Sequence, residues 1–98
     1  MIMFSYNVFD VKKEILLAVC DIEILGKKIN GDISFHVREK FYGGEECGEK
    51  ELSELAQKAT VINAVGKNAV NFLLKEGYVE ESKILMIGDI PHAQVVKV

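Results

Sequence analysis

The chain has 98 residues, 49% of them apolar and 28% charged. That is one domain's worth of sequence, too short for two lobes with a cleft between them and too apolar for a disordered chain. Twelve Lys and Arg against fifteen Asp and Glu leave a net charge of −3, which excludes the basic footprint of a nonspecific nucleic-acid binder but leaves room for a local patch.

No apolar run reaches the about eighteen residues of a membrane span, and no basic segment precedes an apolar one after Met1. Neither a membrane anchor nor a signal peptide is expected, and the chain is placed in the cytoplasm. Phe4, Tyr6 and Val8 alternate with Ser5 and Asn7, the period of a half-buried strand, and Asp10 to Lys13 supply a polar turn. The unbroken apolar run Ile15 to Cys20 predicts a central strand buried on both faces, paired antiparallel with the first because the connection is short. Asp21 is placed to cap one helical turn through Leu25, with Gly26 free to take the left-handed conformation that ends it. From Asp32 the alternation resumes: Ile33, Phe35 and Val37 form the apolar face of a third strand, and Ser34, His36 and Arg38 the polar one.

Paired glycines after Phe41 and Tyr42 break that strand, so Phe41 to Gly44 is expected as a loop. Glu49 opens a helix with Leu52, Leu55, Ala56 and Ala59 at helical spacing, and the acidic crowding from Glu45 to Glu54 suits the positive end of its dipole. Thr60 to Glu76 reads two ways. Val61 to Val65 suits a buried strand, followed by a turn at Gly66 and a helix; but Ala59, Asn63, Gly66, Val70, Leu73 and Gly77 also fall three or four apart. The lack of a turn signal between Ala59 and Val61 favours a helix throughout, kinked or broken at Gly66 and ended by Gly77. Ile84 to Ile87 is expected as a short buried strand, Gly88, Asp89 and Pro91 turn the chain, and Gln94 to Val98 is a last strand that Pro91 pushes toward an edge at its start. The whole reads as one α+β domain over residues 1–98, a mixed β-sheet with a helical middle segment packed on one face.

Ala18-Val19-Cys20-Asp21, Phe41-Tyr42-Gly43-Gly44, Ala59-Thr60 with Asn63 and Gly66, and Pro91-His92-Ala93-Gln94 together resemble a family of small archaeal proteins of unassigned function, over nearly the whole chain. Phe-Tyr-Gly-Gly and Pro-His-Ala-Gln are the more specific parts. The resemblance implies a small archaeal cytosolic protein, loosely associated with translation and RNA, whose motif positions are candidate sites. It implies no reaction and no cofactor.

Phe41 and Tyr42 beside Gly43 and Gly44 could present an aromatic platform, with Arg38 and Lys40 to meet a phosphate, as single-stranded nucleic acid binding requires; the blander reading tucks one ring into the core. His92 and Gln94 set an imidazole and an amide near each other, for acid-base work, for reading a base edge, or simply for locking a turn. If a strand ends at Val65, free backbone N–H groups from Gly66 onward with Lys67 beside them make an anion site; if the stretch is helical, Asn63 is an interior amide at a close packing contact. Cys20 and Cys47 are expected as free thiols, Cys20 buried and inert. Cys20, His36, Cys47 and His92 lack the close ligand pair that starts a zinc site, so no metal is expected. The leading function is a noncatalytic binding module for RNA or a translation-associated protein. The alternatives are a small enzyme using His92 with Cys20 or Asp21, and a subunit that docks a protein partner through a sheet edge or the Phe41-Tyr42 segment.

Overall fold

The structure, a computed structural model, describes residues 1–97. Strands β1 (Phe4–Val11) and β2 (Glu14–Asp21) form the expected antiparallel pair. After a single 3₁₀ turn, β3 (Lys28–Asn30) and β4 (Ser34–His36) make a small hairpin, followed by α1 (Glu39–Tyr42), β5 (Glu45–Cys47) and α2 (Glu49–Lys58). The chain closes with β6 (Val61–Val65), α3 (Lys67–Lys75), β7 (Ile84–Ile87) and β8 (Ile90–Val96). The main sheet runs β5-β1-β2-β6-β8-β7. Only β2 and β6 are parallel among its pairs, so the α+β class and mixed sheet are as the sequence indicates.

Period-two alternation sorts every strand onto two cores. Phe4, Tyr6, Leu17, Val19, Ile62, Ala64 and Ala93 face the first, where Leu52 and Ala56 of α2 and Ala69, Val70 and Leu73 of α3 cover them. Each such side chain, moved out of water, contributes about 1.5–3 kcal/mol when as large as Val or Leu. Ala18, Cys20, Val65 and Ile87 face the second, covered by Ile29, Val37 and Tyr42 from the hairpin and α1. Helices α2 and α3 therefore share one face as expected, while the opposite face has a lid the sequence reading lacked.

Several expectations need correcting. Thr60 to Val65 is not helical: β-branched Val61, Ile62 and Val65 lie in a strand between β2 and β8, with Ile62 and Val65 fully buried in opposite cores. No turn signal is needed there, because Thr60 itself is clamped, its Oγ1 accepting from Ile15 N–H and its backbone N–H donating to Ile15 O. The expected third strand shrinks to β4 and leaves the main sheet, pairing only with β3. Phe41 and Tyr42 lie in one helical turn, not a loop, with Tyr42 N–H bonded to Arg38 O and Gly43 N–H to Glu39 O. Glu45 and Glu46 belong to edge strand β5 rather than to the helix start.

Strand β7 is an edge rather than a buried strand, with Leu85 59% and Met86 56% exposed. Pro91 sits inside β8, flanked by strands on both sides, which a proline tolerates only where its missing N–H is not wanted. The opposing residue on the β6 side is Gly66, which donates its N–H to Pro91 O but turns its own C=O into α3, where Val70 N–H takes it. The last strand spans Ile90–Val96, and Val98 of the expected strand lies outside the described residues. Gly77 follows α3 as expected: at φ +85 it lets Tyr78 N–H reach back to Leu73 O and its own N–H to Leu74 O.

Candidate functional site

The strand registers lay three rows across the second face. Phe9, Leu16, Val61 and Val96 form one row; Asn7, Ala18, Asn63 and Gln94 the next; Ser5, Cys20, Val65, His92 and Leu85 the third. The lid of hairpin and α1 seals Ala18, Cys20 and Val65. Over β6 and β8 the cover gives out: Gln94 and Val96 are exposed, and Val61, Asn63 and His92 half-buried.

At the boundary between covered and open sheet, two donors converge on one atom. Tyr42, buried in α1, gives its hydroxyl proton to Asn63 Oδ1 at 2.5 Å, and His92 Nε2 lies 3.2 Å from the same oxygen. A carbonyl oxygen only accepts, so His92 carries its proton on Nε2 and keeps Nδ1 as an acceptor. Every buried side-chain nitrogen or oxygen among the described residues has a partner. The Asn63 amide nitrogen bonds to neither of these groups and so lies within reach of solvent, and Asn63 shares its row with the exposed Gln94, its register partner across the β6–β8 pair. Aromatic edges fix the arrangement: Phe35 meets His92 at 5.3 Å and Tyr42 at 6.3 Å between centroids, and Phe41 meets Tyr42 at 4.8 Å while stacking on Phe9 at 5.4 Å.

Burial lowers the pKa of His92, which is neutral at pH 7, and raises that of Tyr42, which keeps its proton. Ser5 Oγ donates to Tyr42 O at 2.9 Å and anchors the end of α1 to β1. The turn after α1 requires glycine twice. A Cβ on Gly43 would stand 2.7 Å from Glu39 O, and Gly44 holds φ +123.

Of the residues singled out from the sequence, Tyr42, Asn63, His92 and Gln94 come together; Phe41 borders them, and Arg38, just before α1, and Lys40, within it, stand exposed, with α1 lying against β1 and β2 on the same face. Lys67 does not join: it begins α3 on the other face. The anion site expected from Gly66 onward is already filled from within, since Asp21 Oδ2 accepts from Asn68 N–H at 2.9 Å and Oδ1 from Ala69 N–H at 2.7 Å. Asp21 makes no side-chain bond to the 3₁₀ turn it was expected to cap. Sequence reasoning missed Phe35 and Asn7, whose alternation marked them as core and strand surface. It missed the Asp21 role because that pairing spans the parallel β2–β6 crossing. Among the described residues no three His, Cys, Asp or Glu side chains group to hold a metal ion, and no helix is long and apolar enough to cross a membrane.

A family described as a protein of unknown function, DUF424, matches residues 9–98. Among solved structures the chain is similar to an uncharacterized conserved protein from Methanopyrus kandleri, at a TM-score of 0.78 and 25% identity over 98% of this chain and 94% of that one. No curated protein matches the chain.

Proposed function

Because the chain belongs to the DUF424 family, whose description assigns no activity, we propose from its geometry that it is a noncatalytic cytoplasmic module that binds a short single-stranded RNA segment on the open half of its second sheet face. Phe41–Gly44 and Pro91–Gln94, the segments by which it resembles small archaeal proteins, are then the site segments. The observation that carries this reading is the doubly engaged Oδ1 of Asn63, which leaves its amide nitrogen free to donate, in the same row as the exposed Gln94. Two amides in one row, that of Asn63 held by its hydrogen bonds, and a neutral His92 are the kinds of group that read base edges. Arg38 and Lys40 supply a small cationic border. The aromatic contribution is reduced from the expected platform, since Tyr42 is only 3% exposed and Phe41 already stacks on Phe9.

Acid-base catalysis finds less support. Asp21 belongs to the opposite face and is engaged with α3. Cys20 shares the His92 row but is separated from it by Val65, and burial pushes its thiol up to about 12. Anisotropy titrations of labelled single-stranded RNA pools at low salt test the proposal. Binding that Gln94→Ala weakens without changing thermal stability supports it. Absence of binding to any pool turns the same face, with its exposed Val96, toward a protein partner.

A further inference from the structure

The two edges of the main sheet are treated differently. Strand β5 is three residues long and carries Glu45 and Glu46, the usual defence against edge pairing. Strand β7, Ile84-Leu85-Met86-Ile87, has no charge, no proline and no bulge, and leaves Leu85 and Met86 more than half exposed.

Its free hydrogen-bonding groups can be identified from Pro91. Pro91 O receives Gly66 N–H, so this residue's backbone groups point toward β6 and away from β7. In an antiparallel ladder, pairs that exchange hydrogen bonds alternate with pairs that do not. Met86 opposite Pro91 and Ile84 opposite Ala93 are therefore non-bonded pairs toward β8, whereas Leu85 opposite His92 is a bonded one. The N–H and C=O of Ile84 and Met86 point outward, and no described residue pairs with β7 on that side.

We propose that β7 pairs antiparallel with β7 of a second copy about a twofold axis through Leu85, which joins two sheets into one. The pattern is self-complementary. Ile84 of each copy falls opposite Met86 of the other, giving four N–H···O=C bonds from groups that otherwise have only water. Leu85 meets Leu85 of the partner as the central non-bonded pair, where side chains approach most closely. None of the four seam residues is charged, although each copy carries a net charge of −3. On the α3 side a groove of about 490 Å³ holds Ile84, Met86 and Pro91 together with Val70 and Leu74, beside polar Asn71 and Asp89. In this register the partner's Met86 lies beside Ile84 at its open side. The axis is perpendicular to the sheet, so both copies turn the Asn63–His92 face the same way. A seam of four residues is small against the 1,200–2,000 Å² of stable interfaces, so the association is weak and concentration-dependent.

Sedimentation equilibrium over micromolar to millimolar protein should show mass rising from 10.9 kDa toward twice that value. Leu85→Lys, at an exposed position, should hold the mass at the monomer value while leaving the melting temperature unchanged. Leu85→Cys tests the register, since Cα atoms of a non-bonded antiparallel pair stand about 4.5 Å apart, within disulfide range. Under mild oxidation Leu85→Cys should form a covalent dimer at least tenfold faster than Val11→Cys, which is as exposed but far from the seam. Cys20 and Cys47 do not compete, being buried with thiols pushed up to about 12 and about 11. A monomer at every concentration overturns the proposal, as does Leu85→Cys reacting no faster than Val11→Cys or slower than Met86→Cys.

Discussion

The carboxyl group of Asp21 lies where a side chain on Gly66 would begin: a Cβ there would stand 2.5 Å from Asp21 Cγ. Gly66 also holds φ +117, so it is fixed twice over, by backbone conformation and by the approach of the acid. The pair joins the ends of parallel strands β2 and β6 to the start of α3. Desolvation raises the Asp21 pKa, against the lowering effect of the Asn68 and Ala69 N–H groups.

Gly66→Ala should therefore destabilise the protein by roughly 1–3 kcal/mol from backbone strain alone, and by more once the collision is added. Asp21→Ala should cost roughly 1–3 kcal/mol through the N–H groups it orphans. Because removing the carboxyl clears the collision, the double variant should lose less than the sum of the two. Urea denaturation of the four proteins measures this; strict additivity would mean that Asp21 and Gly66 do not share the space.

Tyr42 and Asn63 form the second checkable pair. Asn63→Ala leaves the hydroxyl of a buried tyrosine without its acceptor and should cost roughly 1–3 kcal/mol. Tyr42→Phe removes one of two donors from an oxygen that His92 still serves, and should cost about 0.5–1.5 kcal/mol. Thermal unfolding of the two variants gives the order.

His92 predicts a pH dependence with a definite sign. Its folded pKa is lowered, chiefly by desolvation, so the unfolded chain binds the proton more readily. The contribution of the neutral ring is fully present above the unfolded value of about 6.5 and is lost as pH falls through the lowered folded value, at no more than about 1.4 kcal/mol per pH unit. His92→Gln should flatten this part of the stability profile between pH 7 and 5. An unchanged slope would place the titration elsewhere.

Much of this architecture was legible in the residues. The Phe4–Tyr6 alternation, the run to Cys20, the helix from Glu49 and the glycine after α3 were each governed by local spacing or conformation. The strand at Val61–Val65 was not, because Ala59, Asn63 and Gly66 imitate a helical seam while being small or polar for separate reasons. Ala59 packs at the end of α2, Asn63 receives Tyr42 and His92, and Gly66 yields to Asp21. Of the candidate site, the sequence singled out Tyr42, Asn63 and His92 separately, but their meeting on Asn63 Oδ1 depends on contacts 21 and 29 residues apart in sequence. The burial of Tyr42 depends in turn on a hairpin lid that no local pattern announced.

Salt dependence separates the cationic border from the amides. If RNA binds as proposed, Arg38 and Lys40, with Lys67 on the other face, neutralise about two phosphates, so log affinity for single-stranded RNA should fall against log salt with a slope of about −1.4. Lys40→Ala should halve that slope, and Gln94→Ala should lower affinity without altering it. A slope that Lys40→Ala leaves unchanged would remove α1 from the interface.

The most direct measurement is a map of backbone and side-chain amide NMR shifts on titration with a short single-stranded RNA at low salt. Binding on the open sheet face predicts the largest changes at the Asn63 and Gln94 side-chain amides, at His92 and along Arg38 to Phe41, with α2 and α3 unmoved. Changes centred on α3, or none at millimolar RNA, would contradict it.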